Sequence, residues 1–174
     1  MVTGDTDNIN AHIVVNNGIP VFWKFVMAIV ICEATGLLSG FLSRAELNTW
    51  YQSLSKPDWN PPSQIFGPVW TMLYLLMGIA LGLIWKADTE VVKEKTALYL
   101  FAIQLFLNFW WSIIFFRFHA PGWAFVEIVI MLVAILATMM EFGRINKTAA
   151  WLMVPYAAWV CFATILNATL WHMN

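Results

Sequence analysis

The chain alternates long apolar stretches with short clusters of charged residues. The five apolar stretches lie at positions 20–42, 65–85, 97–116, 122–140 and 148–171. A helix needs about 20 residues to cross a hydrocarbon core of about 30 Å, at a rise of about 1.5 Å per residue. The only formal charges inside the stretches are Lys24, Glu33 and Glu127. Since the stretches lack the period-two alternation of barrel strands, the pattern predicts an all-α integral membrane protein with five transmembrane helices.

Composition supports the same class of protein. Hydrophobic residues make up 61% of the 174 residues and charged residues only 11%, whereas soluble domains are about 45–50% apolar and about 25% charged. The formal net charge is −1 and the sequence has no basic cluster. These features disfavour a soluble globule, a disordered chain and a nucleic-acid-binding protein. We therefore expect the chain to lie in a lipid bilayer, and we expect no nucleic-acid partner.

Two segments outside the stretches have a distinct character. Residues 1–19 form a polar extension without the basic start of a signal peptide, so the first stretch is expected to remain as a helix. Residues 43–64 form the only long connection, in which prolines are mixed with large aromatic side chains. This mixture predicts an ordered loop packed onto the bundle, neither a flexible linker nor a helix. Residues 20–174 as a whole are predicted to be one membrane domain.

Basic residues between the stretches predict the orientation in the membrane. The basic residues on the side of the N-terminus are Lys86, Lys93, Lys95, Arg144 and Lys147, and those on the opposite side are Arg44, Lys56 and Arg117. Cytoplasmic loops carry an excess of Lys and Arg. The balance of five against three favours a cytoplasmic N-terminus.

Two of the stretches carry polar and aromatic side chains along one helical face. In the third stretch these are Gln104, Asn108, Trp111 and Phe115. In the fifth they are Tyr156, Trp159, Ala163, Leu166 and Asn167, preceded by a helix-kinking Pro155. Because unpaired polar groups in hydrocarbon cost free energy, both faces should point into the bundle. Two interpretations remain open: interhelical hydrogen bonds with close packing, or a ligand cavity with polar anchors.

Ionisable side chains inside a membrane are functional candidates because their burial is costly. Glu33 and Glu127 are therefore candidate proton or ligand partners, and the sequence pairs neither of them. The potential metal ligands are scattered and show no metal-binding spacing; they are His12, His119, His172, Cys32 and Cys161. We predict no metal site.

Two glycine pairs have the Gly-x-x-x-Gly spacing that allows helices to approach each other closely. One pair is Gly36 and Gly40, and the other is Gly78 and Gly82. The spacing leaves open whether the close contact lies within one chain or between two copies.

The tryptophans divide into two populations. Those near the ends of the stretches are typical of an interfacial belt, and they are Trp23, Trp85, Trp151 and Trp171. Those in the long loop or on faces expected to point inward are Trp50, Trp59, Trp70, Trp111, Trp123 and Trp159. Inward-facing rings suit stacking on a flat, apolar, aromatic ligand.

Four motifs in this order resemble a known family. The first runs from Trp50-Tyr51 through Lys56-Pro57-x-Trp59-x-Pro61-Pro62, and the second is Gly67-Pro68-x-Trp70-x-x-x-Tyr74-x-x-Met77-Gly78. The third is Gln104-x-x-x-Asn108-x-x-Trp111 with Phe115-Phe116, and the fourth runs from Pro155-Tyr156 through Trp159, Ala163 and Leu166-Asn167 to Trp171. Residues 20–174 resemble the tryptophan-rich sensory protein and translocator protein family, known as TspO or the peripheral benzodiazepine receptor family.

The resemblance implies a five-helix bundle whose first loop acts as a lid over a pocket. It implies binding of porphyrins such as protoporphyrin IX and haem, as ligands rather than required cofactors, and of isoquinoline and benzodiazepine compounds. Some members also bind sterols or lipids, and many form homodimers. By position, the implied ligand-binding residues are Trp50, Tyr51, Ile65, Trp70, Asn108, Trp111, Trp123, Trp159, Ala163 and Leu166. The residues implied in porphyrin photochemistry are Tyr51, Trp70 and Trp159.

Three functions are consistent with this resemblance. The leading expectation is a tetrapyrrole-binding receptor or sensor in a bacterial cell membrane. The second is an enzyme that degrades protoporphyrin in the light. The third is a transporter of porphyrin, lipid or sterol, with Glu33 or Glu127 as coupling groups.

Overall fold

Five helical segments long and apolar enough to cross a membrane make up the bundle. A computed structural model of the chain describes residues 19–87 and 91–174, so the polar extension before residue 19 lies outside the described residues. The spanning segments are Val21–Asn48, Ser63–Trp85, Lys93–Arg117, Pro121–Ile145 and Lys147–Met173. The prediction of an all-α integral membrane protein with five transmembrane helices is confirmed.

The helices are labelled in chain order. They are α1 (Val21–Asn48), α2 (Trp50–Ser53), α3 (Phe66–Trp85), α4 (Val91–Ser112), α5 (Pro121–Ile145), α6 (Lys147–Leu152) and α7 (Val154–Met173). A 3₁₀ turn, Ser63–Ile65, precedes α3, and a π-helical turn, Ile113–Arg117, continues α4. The 3₁₀ turn lengthens the second span and the π-helical turn lengthens the third, and neither adds a new span.

The first helix is longer than its apolar stretch. Residues 43–48 continue α1, and Trp50–Ser53 adds one further helical turn. The prediction that residues 43–64 contain no helix is therefore wrong for these positions. Charged residues such as Arg44 and Glu46 end an apolar run, but Arg, Ala, Glu and Leu are good helix formers, so they do not end the helix.

The fifth span is divided at Met153 into α6 and α7. Pro155 lies in the first turn of α7, where its missing N–H needs no partner and its ring is tolerated. The N–H of Ala157 then donates to the carbonyl oxygen of Met153 over 3.0 Å. The break at Met153 is consistent with the kink that Pro155 predicts in the fifth stretch.

Close contact between α1 and α3 depends on glycine. A Cβ atom added to Gly78 would lie 2.6 Å from Cα of Ile29, and one added to Gly82 would lie 2.5 Å from the Phe25 ring. Gly36 likewise lies against the ring of Tyr74. These three glycines allow close packing within one chain. For them, the contact allowed by the Gly-x-x-x-Gly spacing lies within the chain and not between two copies.

The outer surface of the bundle is apolar. Phe22 is 70% exposed and Trp151 is 72% exposed, and large aliphatic residues lie between such rings on every long helix. Water would not stabilise a surface of this kind, whereas hydrocarbon would. The chain is an integral, multi-pass membrane protein.

Candidate functional site

A cavity of about 470 Å³ lies between α1, α3, the end of α4 and α7. Its volume falls in the range of about 300–1,000 Å³ that is typical of small-molecule sites. Six of the residues predicted to bind ligand line it, and they are Tyr51, Trp70, Trp111, Trp159, Ala163 and Leu166. The structure therefore brings residues from four sequence motifs to one cavity.

The cavity exists because α1 and α3 diverge. At Gly78 and Gly82 the two helices touch, but a Cβ atom added to Gly40 or Gly67 would meet nothing within 4 Å. Gly40 and Gly67 both line the cavity. The helices thus pack closely over one half of their length and leave space between them over the other.

Ten aromatic rings belong to the cavity lining, and several of them hold one another in place. Trp111 stacks on Phe115 with ring centroids 5.4 Å apart and planes 25° apart. Trp159 lies between Phe66, at 6.1 Å, and Phe162, at 5.4 Å. Contacts between rings at these distances are favourable beyond the burial of their area. Contacts between the rings therefore fix the shape of the walls.

The π-helical turn at the end of α4 contributes two of these rings. The N–H of Phe118 donates to the carbonyl oxygen of Ile113 over 3.0 Å, five residues earlier. The wider turn changes the direction of the following side chains relative to an α-helix. Phe115 and Phe116 both line the cavity as a result.

A hydrogen-bond network lies behind the aromatic wall. The Tyr74 hydroxyl donates to Oδ1 of Asn108, and Nδ2 of Asn108 donates to the Tyr156 hydroxyl over 3.0 Å. Tyr74 lines the cavity, whereas Asn108 is buried behind it and outside the lining. This geometry gives Asn108 the role of an interhelical hydrogen-bonding residue.

Trp111 is oriented by a second pair of hydrogen bonds. Its Nε1 donates to Oδ1 of Asn167 over 3.1 Å, and Nδ2 of Asn167 donates to the carbonyl oxygen of Pro121 over 2.8 Å. Asn167 also lines the cavity. The indole ring is thereby held in place beside the cavity by a residue of α7.

The first loop reaches the cavity through Tyr51, and we define the lid as residues 49–62. The Tyr51 hydroxyl donates to Oδ1 of Asn60 over 2.9 Å, which fastens α2 to the rest of the lid. Burial raises the pKa of the Tyr51 phenol above its usual range, while the hydrogen bond to Asn60 acts in the opposite direction. The N–H of Ser55 donates to Oδ1 of Asn174 over 2.9 Å, so the lid is also joined to the end of α7.

Two further aromatic residues attach the lid from outside the cavity. Trp59 contacts the Phe162 ring at 5.9 Å, and Trp50 stacks on His119 at 4.4 Å with planes 14° apart. Neither tryptophan belongs to the cavity lining. Trp50, predicted to bind ligand, instead packs the lid against the segment between α4 and α5.

The structure places two other predicted residues away from the cavity. Ile65 lies in the 3₁₀ turn before α3 and is 40% exposed. The prediction that Trp123 lies on an inward face is wrong, because its side chain is 74% exposed on the outer surface. The inward face of α5 runs through Ala124 and Glu127, and Trp123 precedes this face by one position, or about 100° of helical rotation.

The two intramembrane glutamates have different surroundings. Glu33 lines the cavity from α1. Glu127 is only 9% exposed, and neither of its carboxylate oxygens has a hydrogen-bond partner within residues 19–87 and 91–174. The side-chain amide nitrogen and oxygen of Gln104 likewise have no hydrogen-bond partner among these residues. Of the two candidate glutamates, only Glu33 is placed where a ligand could reach it.

Sequence reasoning missed several lining residues. Phe66 and Phe162 pack on Trp159, and Arg44 lines the rim of the cavity. Position along a helix could have found Arg44, since it follows Glu33 by three helical turns on the same face. Metal binding has no support here, because no group of three potential metal ligands occurs among the described residues.

Comparison with known proteins places this arrangement in a family. Residues 28–172 match the model of the TspO/MBR family. The chain is 38% identical over 148 residues to the tryptophan-rich protein TspO of Chlorobaculum tepidum, covering 85% of this chain and 94% of that protein. It is 41% identical over 140 residues to the translocator protein of Ovis aries, covering 80% and 83%. It is 30% identical over 150 residues to the protein CrtK of Rhodobacter capsulatus, covering 86% and 92%. The chain therefore belongs to the TspO/MBR family.

Proposed function

We propose that this protein is a membrane receptor that binds tetrapyrroles such as protoporphyrin IX and haem in the cavity beneath the lid. Membership of the TspO and translocator family indicates a membrane protein of receptor or transporter type. The observation that carries the finer proposal is the lining of the cavity by Tyr51, Trp70, Trp111 and Trp159. Four large rings contributed by four different helices suit a flat, apolar ligand, including isoquinoline and benzodiazepine compounds.

A matched pair of tryptophan variants tests this proposal. In a dark titration of the purified protein with protoporphyrin IX, Trp159→Phe should weaken binding by up to about tenfold, because the smaller ring keeps only part of a stacking contact worth about 1–3 kcal/mol. Trp123→Phe should leave the affinity unchanged, since Trp123 faces away from the cavity. Equal affinities for the two variants and the unchanged protein would exclude this cavity as the binding site.

Light-dependent porphyrin degradation is a second candidate function. The three residues implied in photochemistry, Tyr51, Trp70 and Trp159, all line the one cavity. Their phenol and indole rings are oxidisable, so a photoexcited porphyrin can take one electron from a ring in contact with it. A degradation product that requires both light and Trp70 or Trp159 supports this function. Identical decay with free tryptophan in place of the protein contradicts it.

Transport and dimerisation complete the proposal. Glu33 lines the cavity and is the coupling group that transport of porphyrin, lipid or sterol would require. Accumulation of porphyrin in proteoliposomes that is abolished by Glu33→Gln would support transport, and equilibration without accumulation would argue for a receptor.

The proposed homodimer is tested by light scattering in detergent. The protein mass should be twice the chain mass of 19.9 kDa, and a value of one chain mass argues for a monomer.

A further inference from the structure

Besides His172 in the last turn of α7, four basic residues lie at the lid end of the bundle, and three of them have partners. Arg117 Nη1 lies 3.4 Å from Glu46 Oε1, and His119 Nε2 lies 2.9 Å from Glu46 Oε2. Lys56 Nζ donates to the carbonyl oxygen of Gln52 over 3.2 Å and lies 4.9 Å from the centre of the Tyr51 ring. The fourth residue is Arg44, for which no acceptor is present in the described part of the chain.

Arg44 is placed on the cavity by the periodicity of α1. Glu33, Gly36, Gly40, Arg44 and Leu47 follow one another at intervals of three or four residues, and all of them line the cavity. Such spacing puts the five positions on one helical face. The Arg44 side chain is exposed, which places it at the rim of the cavity rather than in its interior.

The two formally charged residues of the described lining, Glu33 and Arg44, have opposite signs. They are eleven positions apart, which corresponds to about 16.5 Å along the helix axis at about 1.5 Å per residue. The aromatic walls lie between these two positions along the cavity. A ligand in the cavity therefore meets a cation at the rim and an acidic group at the other end.

We propose that Arg44 recognises a carboxylate on the ligand, so that this cavity selects flat apolar ring systems that carry an acidic group at one edge. The inference rests on the proposed function and narrows its ligand class. The rings would lie between Trp111 and Trp159, with the carboxylate directed to the guanidinium at the rim. Glu33 disfavours the reverse orientation, because it would bring two acidic groups together.

Arginine is suited to this role. Its planar guanidinium binds a carboxylate through two parallel N–H donors, and such charge-assisted hydrogen bonds are stronger than neutral ones. Exposure at the rim means that water and salt screen part of the attraction. We therefore expect Arg44 to determine which ligands bind tightly, while the aromatic walls supply affinity for any flat ligand.

Two porphyrins that differ only in charge test the proposal. Protoporphyrin IX carries two carboxylates, and its dimethyl ester carries none while keeping the same ring. Both should be titrated in the dark into the full chain in an uncharged detergent, so that no anionic lipid headgroup competes for Arg44. The unchanged protein should bind the diacid more tightly than the diester, and added salt should reduce this difference.

Three variants separate a specific contact from a general effect of charge. Arg44→Gln should weaken binding of the diacid about tenfold, the order expected for one partly screened charge-assisted contact, and should leave binding of the diester unchanged. Arg44→Lys should restore part of the loss. Arg117→Gln removes the same charge from the same end of the bundle but not from the cavity, so it should change neither affinity.

The outcomes distinguish this inference from the function on which it rests. If the unchanged protein binds neither porphyrin, the proposed receptor function fails. If it binds both with equal affinity, or if Arg44→Gln weakens the diacid and the diester alike, the cavity is a porphyrin site and carboxylate recognition by Arg44 is overturned. If Arg117→Gln has the same effect as Arg44→Gln, the effect is one of overall charge and the inference is likewise overturned.

Discussion

At the scale of single residues, Asn108 joins three helices through one amide group. It accepts a hydrogen bond from Tyr74 of α3 and donates one to Tyr156 of α7, and all three side chains are buried. A buried hydroxyl without a partner costs more than a satisfied one contributes. The network therefore orients Tyr74 at the cavity without Asn108 touching the ligand.

Replacing Asn108 tests this role. Asn108→Leu leaves both tyrosine hydroxyls without their amide partner and should lower the free energy of unfolding by about 1–3 kcal/mol. Gln104→Met is the matched control one turn earlier on the same helix, because the Gln104 amide has no partner within the described residues. It should change stability by less than about 1 kcal/mol. Denaturation in one detergent compares the two, and equal losses would contradict the network.

Tyr51 gives the lid a dependence on alkaline pH. Burial raises the pKa of its phenol in the folded lid, so the unfolded chain ionises first as the pH rises. The contribution of the neutral phenol to the stability of the lid is therefore fully present below about pH 10, the ordinary pKa of tyrosine. This contribution is lost as the pH rises further. Proteolysis within residues 54–62 should accelerate above this pH in the unchanged protein. In Tyr51→Phe the rate should be insensitive to the same change, and an identical pH profile would refute the assignment.

At the scale of helices, the angle between α1 and α3 creates the cavity. Gly78 and Gly82 bring the helices into contact at one end, and large rings occupy the space where they diverge at the other. The third and fifth spans are adapted in a similar way, by a π-helical turn at Ile113–Arg117 and by the break at Met153. Each irregularity lies beside residues that line the cavity or its supporting network.

Glycine-to-alanine substitutions test the close contact. Gly78→Ala places a Cβ atom 2.6 Å from the Ile29 backbone, which should cost about 1–3 kcal/mol because backbone has to shift. Gly40→Ala is the matched control, since its Cβ atom meets nothing within 4 Å. Alanine is a better helix former than glycine, so this control should be neutral or stabilising by up to about 1 kcal/mol. Thermal unfolding followed by circular dichroism measures both, and a harmless Gly78→Ala would refute the contact.

At the scale of the whole molecule, most charged residues, Glu33 and Glu127 excepted, lie at two ends and the apolar surface lies between them. The lid, with Lys56 and Asp58, is at one end, and Arg144 and Lys147 are at the other. This separation fits five helices that cross a membrane in alternating directions. The excess of basic residues on the side of the N-terminus predicts that the lid faces away from the cytoplasm.

Labelling of introduced cysteines tests this orientation. In intact bacterial cells, a membrane-impermeant maleimide should modify Asp58→Cys in the lid, whereas Lys147→Cys should react only after the cells are permeabilised. The native cysteines should not react with this reagent, because Cys32 is buried and Cys161, although exposed, lies within a membrane-spanning segment. The reverse labelling pattern would show that the N-terminus lies outside.

Particular residues show how far sequence reasoning reached. The polar and aromatic faces of the third and fifth stretches both point inward, as Gln104, Trp111 and Tyr156 demonstrate. The choice between hydrogen bonding and ligand binding on those faces needed distances: Asn108 packs behind the wall, while Trp111 and Trp159 form it. Trp123 was misplaced because one position in a helix turns a side chain by about 100°.

Five membrane crossings can be predicted from the amino-acid sequence, because the length of an apolar run is compared with the bilayer thickness and needs no knowledge of neighbouring segments. The motifs that identify the family are also local. The three-dimensional packing was needed to show which helical faces meet, that α1 and α3 separate to form a cavity, and that Arg44 lies at its rim without an acceptor in the described part of the chain. Helix rotation and crossing angle are set by packing between distant segments, so no local pattern contains them.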